Sequence, residues 1–138
     1  IQSRKIKSIF HNCDEIHSVD RIKIVQEIKK LETETKIEKG YFLQINTGDE
    51  MQKSGVALED ADQFINQCIT QHHFKVKGLM CIPPVNEDPR PHFKTLKDIA
   101  INNQIKCLSM GMSNDYEIAI QCGATHIRIG TSIFGERI

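Results

Sequence analysis

The sequence has no surplus of charge: 18 basic and 18 acidic side chains cancel across 138 residues. That balance leaves no electrostatic footprint for nucleic acid, an anionic membrane surface or a polyanionic partner, so recognition must reside in a local site. No stretch approaches the roughly 18 uninterrupted apolar residues that cross a bilayer, and no apolar signal core follows a basic start. The expectation is a cytoplasmic protein with a small-molecule partner, no nucleic acid and no membrane. Disulfides are equally unsupported. The five cysteines, Cys13, Cys68, Cys81, Cys107 and Cys122, are odd in number, scattered and mostly set among apolar neighbours, as reduced core thiols are. Cys-x-x-Cys and His-Glu-x-x-His are missing too; Cys13-x3-His17 and Cys68-x3-His72 are near misses that make no metal site. Linkers, low-complexity tracts and internal repeats are absent, so residues 1–138 read as a single domain. Its start, Ile-Gln-Ser-Arg-Lys, carries no turn or cap signal, as if it lay inside a larger fold.

What is present is a regular alternation of apolar patterns. A strand-like piece at 15–17 leads to Ser18, Val19 and Asp20, which can cap a helix with Ile22, Val25, Ile28 and Leu31 on one stripe. Residues 29–39 are nearly all charged and read as a solvated helix end and loop, stopped by Gly40. Residues 41–45 form a strand running into the polar turn 46–49. A helix with Leu58, Ala61, Ile65, Cys68 and Ile69 inward follows, with His72 and His73 at its exposed end. Then come a strand at 76–82, a Pro-rich loop to Pro91 and a helix with Phe93, Leu96 and Ile99 inward. A strand at 105–109, a helix at 114–122 opened by Ser113 or Asn114 and closed by Gly123, and a strand at 125–129 complete the series. Five strand–helix alternations indicate an α/β fold with a parallel sheet. A doubly wound sheet and a (β/α)8 barrel share this pattern. A barrel needs on the order of 200–250 residues, so this chain would supply its second half or slightly more.

Two glycine-bearing turns carry the chemistry. The first, 108–113, reads Leu-Ser-Met-Gly-Met-Ser; the second, 127–135, reads Ile-Arg-Ile-Gly-Thr-Ser-Ile-Phe-Gly. Each follows an apolar run and stands where a helix can begin. Glycine lets backbone approach a ligand closely, and the N–H groups of a helix start point at an anion. Barrels bind phosphate with the loops after their last two strands and a short extra helix. On that reading Ser113 gives a hydroxyl and an N–H, Gly130 and Thr131 give N–H groups, and residues 132–134 start the short helix. The plain alternative makes Ser113 an N-cap and Gly130 a tight turn. Arg128 lies inside an apolar strand, where a permanent charge is costly without a partner. Alternation would turn Ile127 and Ile129 toward the helices and Arg128 into the barrel mouth. Lys53, Lys75, Lys77 and Lys106 read as solvated, and none is a convincing nucleophile.

Residues 108–115, with Ala119, Ile120, the Gly-Ala-Thr of 123–125, the Arg-Ile-Gly-Thr of 128–131 and the Ile-Phe-Gly-Glu-Arg of 133–137, closely resemble the closing signature of the pyridoxal phosphate homeostasis protein family. Three earlier blocks agree in order: Ile-His-Ser-Val-Asp-Arg at 16–21; Gln-Ile-Asn-Thr-Gly-Asp-Glu at 44–50 with Lys53-Ser-Gly55; and Gly-Leu-Met at 78–80 before Ile82-Pro83. The resemblance implies a (β/α)8 barrel of the alanine racemase N-terminal type, with pyridoxal 5′-phosphate in its mouth. It further implies that Ser113, Gly130 and Thr131 hold the phosphate, that Met112 contributes backbone nearby, and that Arg128 faces the pyridine nitrogen. An arginine there disfavours the protonated pyridinium that amino-acid-transforming enzymes use as an electron sink, which fits a carrier better than a catalyst.

The family's Schiff-base lysine, in a Ser-Lys-Thr-like segment of its first strand, and its Phe-Gly-Glu-Asn-like block do not occur here. The chain therefore matches from the family's middle onward, as an incomplete barrel lacking the N-terminal elements. The full-length family would be monomeric, whereas exposed strand edges invite association of a fragment. The main expectation is a non-catalytic cofactor binder. The rivals are a racemase or decarboxylase of the same fold, and a sugar-phosphate barrel enzyme using the same cradle without a cofactor.

Overall fold

The alternation read from the sequence closes into one curled, all-parallel sheet. The computed structural model describes residues 1–48 and 54–135. Its strands are β1 (Glu15–Val19), β2 (Gly40–Asn46), the two-residue β3 (Val56–Ala57), β4 (Val76–Met80), β5 (Cys107–Met112) and β6 (His126–Arg128). The helices are α1 (Ile6–Asn12), α2 (Ile22–Thr35), α3 (Ala61–Thr70), α4 (Pro89–Asn102), α5 (Tyr116–Gln121) and the single turn α6 (Thr131–Phe134). Strand order is β1-β2-β4-β5-β6, each neighbour parallel, with β3 paired to the end of β2. The order never reverses, as it would in a doubly wound sheet. A monotonic parallel order with helical crossovers is the wall of a (β/α) barrel, here a half-barrel.

One face of this wall packs against the helices. Tyr41, Leu43 and Ile45 of β2, Leu79 of β4, and Leu108 and Met110 of β5 join Phe10, Ile24, Ile28, Ile65, Phe93, Leu96 and Ala119 in one buried cluster. Phe42 and Met80 are also buried but stand outside that cluster, because alternation turns them to the concave face. β2 is buried at five consecutive positions, as expected of a parallel strand covered on both sides. Strands β5 and β6 are pinned where the Thr125 hydroxyl accepts from the Leu108 N–H at 2.8 Å and donates to the Leu108 carbonyl at 3.1 Å.

Several boundaries differ from expectation, each for a local reason. Helix α1 has no counterpart in the sequence reading; it buries only Ile6 and Phe10, too short a pattern to register. Ser18 and Asp20 do not cap α2: Ser18 is inside β1, the N-cap position is Arg21, and Asp20 instead pairs with the Arg21 guanidinium at 2.5 Å. Gly40 does not stop α2. The helix ends at Thr35 with Lys36 in the left-handed region, φ 60°, and Gly40 opens β2. The charged stretch 29–39 is not wholly solvated, since Leu31 and Glu32 are buried and the Tyr41 hydroxyl donates to Glu32 at 2.7 Å. Leu58 and Ile69 are exposed, and Phe64 takes the inward position on α3. Helix α4 begins earlier, at Pro89, where the Asp88 carboxylate accepts from the Arg90 N–H at 3.1 Å. Strand β5 runs on to Met112, and α5 starts at Tyr116. Asp49, Glu50, Lys53, Glu136 and Arg137 lie outside the described residues.

Candidate functional site

Strand ends β5 and β6 place the two predicted turns side by side, with Met112 paired to Arg128 in register. The first turn's glycine serves the fold. Gly111 has φ +93°, and a Cβ there would sit 2.5 Å from the Ala119 Cβ, so it lets α5 close onto β5. Gly130 is different: it has φ −125° and ψ −80°, and a Cβ would meet nothing within 4 Å. Nothing in the described packing requires that glycine.

Ser113 is not a helix cap. The turn into α5 is held by Asp115, whose Oδ1 accepts from the Met112 N–H at 2.6 Å and whose N–H donates to the Met112 carbonyl at 3.1 Å. The Ser113 hydroxyl crosses instead to the second turn, accepting from the N–H of Gly130 at 3.2 Å and of Ser132 at 3.3 Å. Two backbone N–H groups thus converge on one oxygen atom, the arrangement that seats an oxyanion. Met112, Ser113, Gly130 and Thr131 line a single cavity of about 620 Å³ together with Asn114, Phe134 and Gly135. Both main-chain groups of Met112 are engaged by Asp115, and its side chain is half-exposed.

Arg128 is not among the residues lining that cavity; its side chain lies on the concave face of the sheet with Ser109. Its Nη1 donates to the Ser109 hydroxyl at 2.7 Å and its Nη2 to the Cys81 carbonyl at 3.0 Å. The expected alternation therefore holds for Arg128, which reaches across β5 to β4. Burial pulls its basicity below the ordinary value, with the nearby Cys81 and Asp115 opposing that shift. A guanidinium remains a cation throughout the working range of pH.

A group of residues under Arg128 went unrecognised in the sequence. His17 Nδ1 lies 2.8 Å from the Ser109 hydroxyl, and its Nε2 lies 3.2 Å from Glu15 Oε2. Its ring stacks on Phe42 with centroids 4.0 Å apart. Glu15 in turn pairs with Lys77, which is therefore not a merely solvated lysine, and has His126 Nε2 at 3.7 Å. The available signal was one polar side chain, Ser109, inside the otherwise apolar strand β5; in β1, His17 stands beside Glu15 and Ser18 and gives no such contrast. Lys75 is solvent-facing as expected, with only a 4.0 Å approach to Glu38.

The chain is similar to several known proteins. The pyridoxal phosphate homeostasis protein of Aquifex aeolicus is 38% identical over 146 residues, covering 99% of this chain and 64% of that protein. The protein of the same name from Escherichia coli strain K12 is 31% identical over 145 residues, covering 99% and 62%. The chain thus spans less than two thirds of the length of these relatives. PipY of Synechococcus elongatus, solved with PLP bound, superposes with a TM-score of 0.86 at 28% identity over 98% of this chain and 67% of that one. An alanine racemase from Clostridium difficile superposes with a TM-score of 0.74 at 14% identity, over 99% of this chain and 40% of that one, a likeness of fold alone. With residues 1–138 matched throughout by the model of the alanine racemase N-terminal domain, the chain belongs to that family.

Proposed function

We propose that this chain binds pyridoxal 5′-phosphate as the C-terminal portion of a (β/α)8 barrel, and that it holds and passes on the cofactor instead of transforming amino acids. The observation that carries this reading is the convergence of the Gly130 and Ser132 N–H groups on one oxygen, in the turn that directly follows Arg128 on β6. The residues fit the group. A glycine whose Cβ would project into open space leaves room for a phosphate, and Ser113 and Thr131 border that room with hydroxyls. When bound, the cofactor supplies an electrophilic carbonyl and a pyridine ring that delocalises negative charge.

Each residue then has a definable task. Ser113, Gly130 and Thr131 hold the phosphate, with Met112 bordering it. Arg128 orients the ring by donating to an unprotonated pyridine nitrogen. Because a guanidinium keeps its proton, that nitrogen stays uncharged and the ring is a weak electron sink, which suits a carrier. Among the described residues no lysine lines the cavity, and we assign to the chain the phosphate and ring-nitrogen half of the site.

The test is a titration with pyridoxal phosphate, followed by its absorbance, of the parent and of a Ser113→Ala, Thr131→Ala double variant. Loss of charge-assisted hydrogen bonds to a phosphate predicts at least tenfold weaker binding, equivalent to about 1.4 kcal/mol. Unchanged affinity would mean that the cradle is only structural.

A further inference from the structure

The hydrogen bonds beneath Arg128 form a chain whose direction is set by its ends. Arg128 can only donate, so the Ser109 oxygen accepts from Nη1 at 2.7 Å. At the other end Glu15 is ionised, since the Lys77 ammonium holds its carboxyl below the usual carboxylate range. An ionised carboxylate only accepts, so the hydrogen between Glu15 Oε2 and His17, at 3.2 Å, belongs to His17 Nε2. Burial holds the His17 ring below the usual imidazole value, keeping it neutral, with Glu15 pulling the other way. Nδ1 is then a bare acceptor, and the Ser109 hydroxyl donates to it at 2.8 Å. Every hydrogen in the series Arg128, Ser109, His17, Glu15 points the same way, and the Lys77 ammonium closes it.

The chain is also braced by packing. His17 is stacked on Phe42, and the Phe42 ring occupies the space that a side chain at Gly78 would take, a Cβ there lying 2.3 Å from the ring. Ser109 has no exposure at all. A hydroxyl that is fully buried and engaged on both sides holds its neighbours to one geometry.

We infer that Glu15, His17 and Ser109 are positioning residues that hold the Arg128 guanidinium in the orientation required to meet the ring nitrogen of the cofactor. This inference rests on the reading of the cavity as a pyridoxal phosphate site. Two of the five guanidinium N–H groups are committed downward, to Ser109 and to the Cys81 carbonyl. With both anchored, the plane of the group is fixed, and a planar ligand meets it without ordering a flexible side chain on binding. Protonation of His17 breaks the sequence at one point. Nδ1 gains a hydrogen, Ser109 must accept on both sides, and its own hydrogen loses its acceptor. The charges facing the His17 ring are Glu15 from its own strand, His126 and Arg128 from β6, and Lys77 from β4 through Glu15; Phe42 of β2 and Ser109 of β5 are uncharged.

The experiment measures affinities of the full chain for pyridoxal phosphate and for inorganic phosphate as a function of pH, with folding checked by circular dichroism. Ser109→Ala and His17→Leu are expected to weaken pyridoxal phosphate binding about fivefold, the worth of one hydrogen bond, and to leave inorganic phosphate binding unchanged. His17→Asn keeps an acceptor in reach of Ser109 and has no proton to gain. It is expected to bind as the parent does at pH 8 and to lose the parent's additional decline on the acid side. The cofactor's own titrations are common to both proteins and cancel in that comparison. Parent-like binding by Ser109→Ala and His17→Leu, alongside weakened binding by Arg128→Leu, overturns the positioning role and leaves the cofactor reading intact. Parent-like binding by Arg128→Leu, or no binding of pyridoxal phosphate by the parent, overturns both.

Discussion

Gly130→Ala separates a glycine kept for folding from one kept for a ligand. The backbone there has φ −125°, and an added Cβ meets no atom within 4 Å. The substitution therefore meets no steric clash with the described residues, so stability should stay within about 1 kcal/mol of the parent. Binding should move the other way. Gly130 borders the cavity, and its N–H is one of two aimed at the oxygen position now taken by Ser113. A methyl in that space crowds a phosphate and weakens a charge-assisted hydrogen bond, a loss of about 1.5–3 kcal/mol and so at least tenfold in affinity. Urea unfolding followed by circular dichroism gives the first quantity, and titration with pyridoxal phosphate gives the second. Affinity within twofold of the parent at unchanged stability would refute the reasoning, because the glycine would then serve neither fold nor ligand. A loss of more than about 1 kcal/mol in stability would refute it from the other side.

Gly78→Ala should behave in the opposite sense. A Cβ there falls 2.3 Å from the Phe42 ring and 2.6 Å from the Cys107 carbonyl oxygen, so ring rotation alone cannot relieve it, and about 3 kcal/mol of overpacking, or roughly 10 °C in Tm, is expected by thermal denaturation. Acid titration of stability should show two losses. His17 is held below its usual value, chiefly by burial, so the unfolded chain binds its proton first, and stability falls as pH drops below about 6.5 toward the folded-state value. Glu15 is also held low, chiefly by its hydrogen bond to Lys77, and its contribution is lost as pH falls below about 4.5; Glu15→Gln should flatten that second region in urea unfolding at stepped pH.

How much of this was legible in the sequence depended on the range of the interactions involved. Strand positions were readable because a parallel strand covered on both faces is mostly apolar along its length, as the run from Tyr41 to Ile45 is apart from Gln44. The inward stripes of α2 and α4 followed from helical spacing, and Val25, Ile28, Phe93 and Leu96 are fully buried. Boundaries failed where a side chain left its local role for a distant one. Ser113 has the composition of an N-cap, yet its oxygen serves N–H groups 17 and 19 residues away. Glu32 sits in a run of charge, yet Tyr41 of the next strand keeps it buried. Neither choice is encoded within the segment that makes it.

The same distinction explains why half of the candidate site was visible and the other half was not. Ser113, Gly130 and Thr131 sit on two loops that follow adjacent strands, so a barrel assignment alone brings them together. Arg128 could be turned inward by alternation along a single strand. Its partners could not be found that way, because Ser109 and His17 are 92 residues apart and meet only through the curvature of the sheet. A flat sheet in this order would hold β1 and β5 three strand spacings apart, about 14 Å. Curling, together with the length of the His17 and Arg128 side chains, brings β1, β5 and β6 to one point on the concave face. The absence of a side chain at Gly78 lets Phe42 lie flat beneath that point. The polar chain under Arg128 is therefore a property of the barrel wall's curvature, and any substitution that flattens or overpacks the wall near Gly78 should disturb Arg128 without touching either of the two glycine-bearing turns.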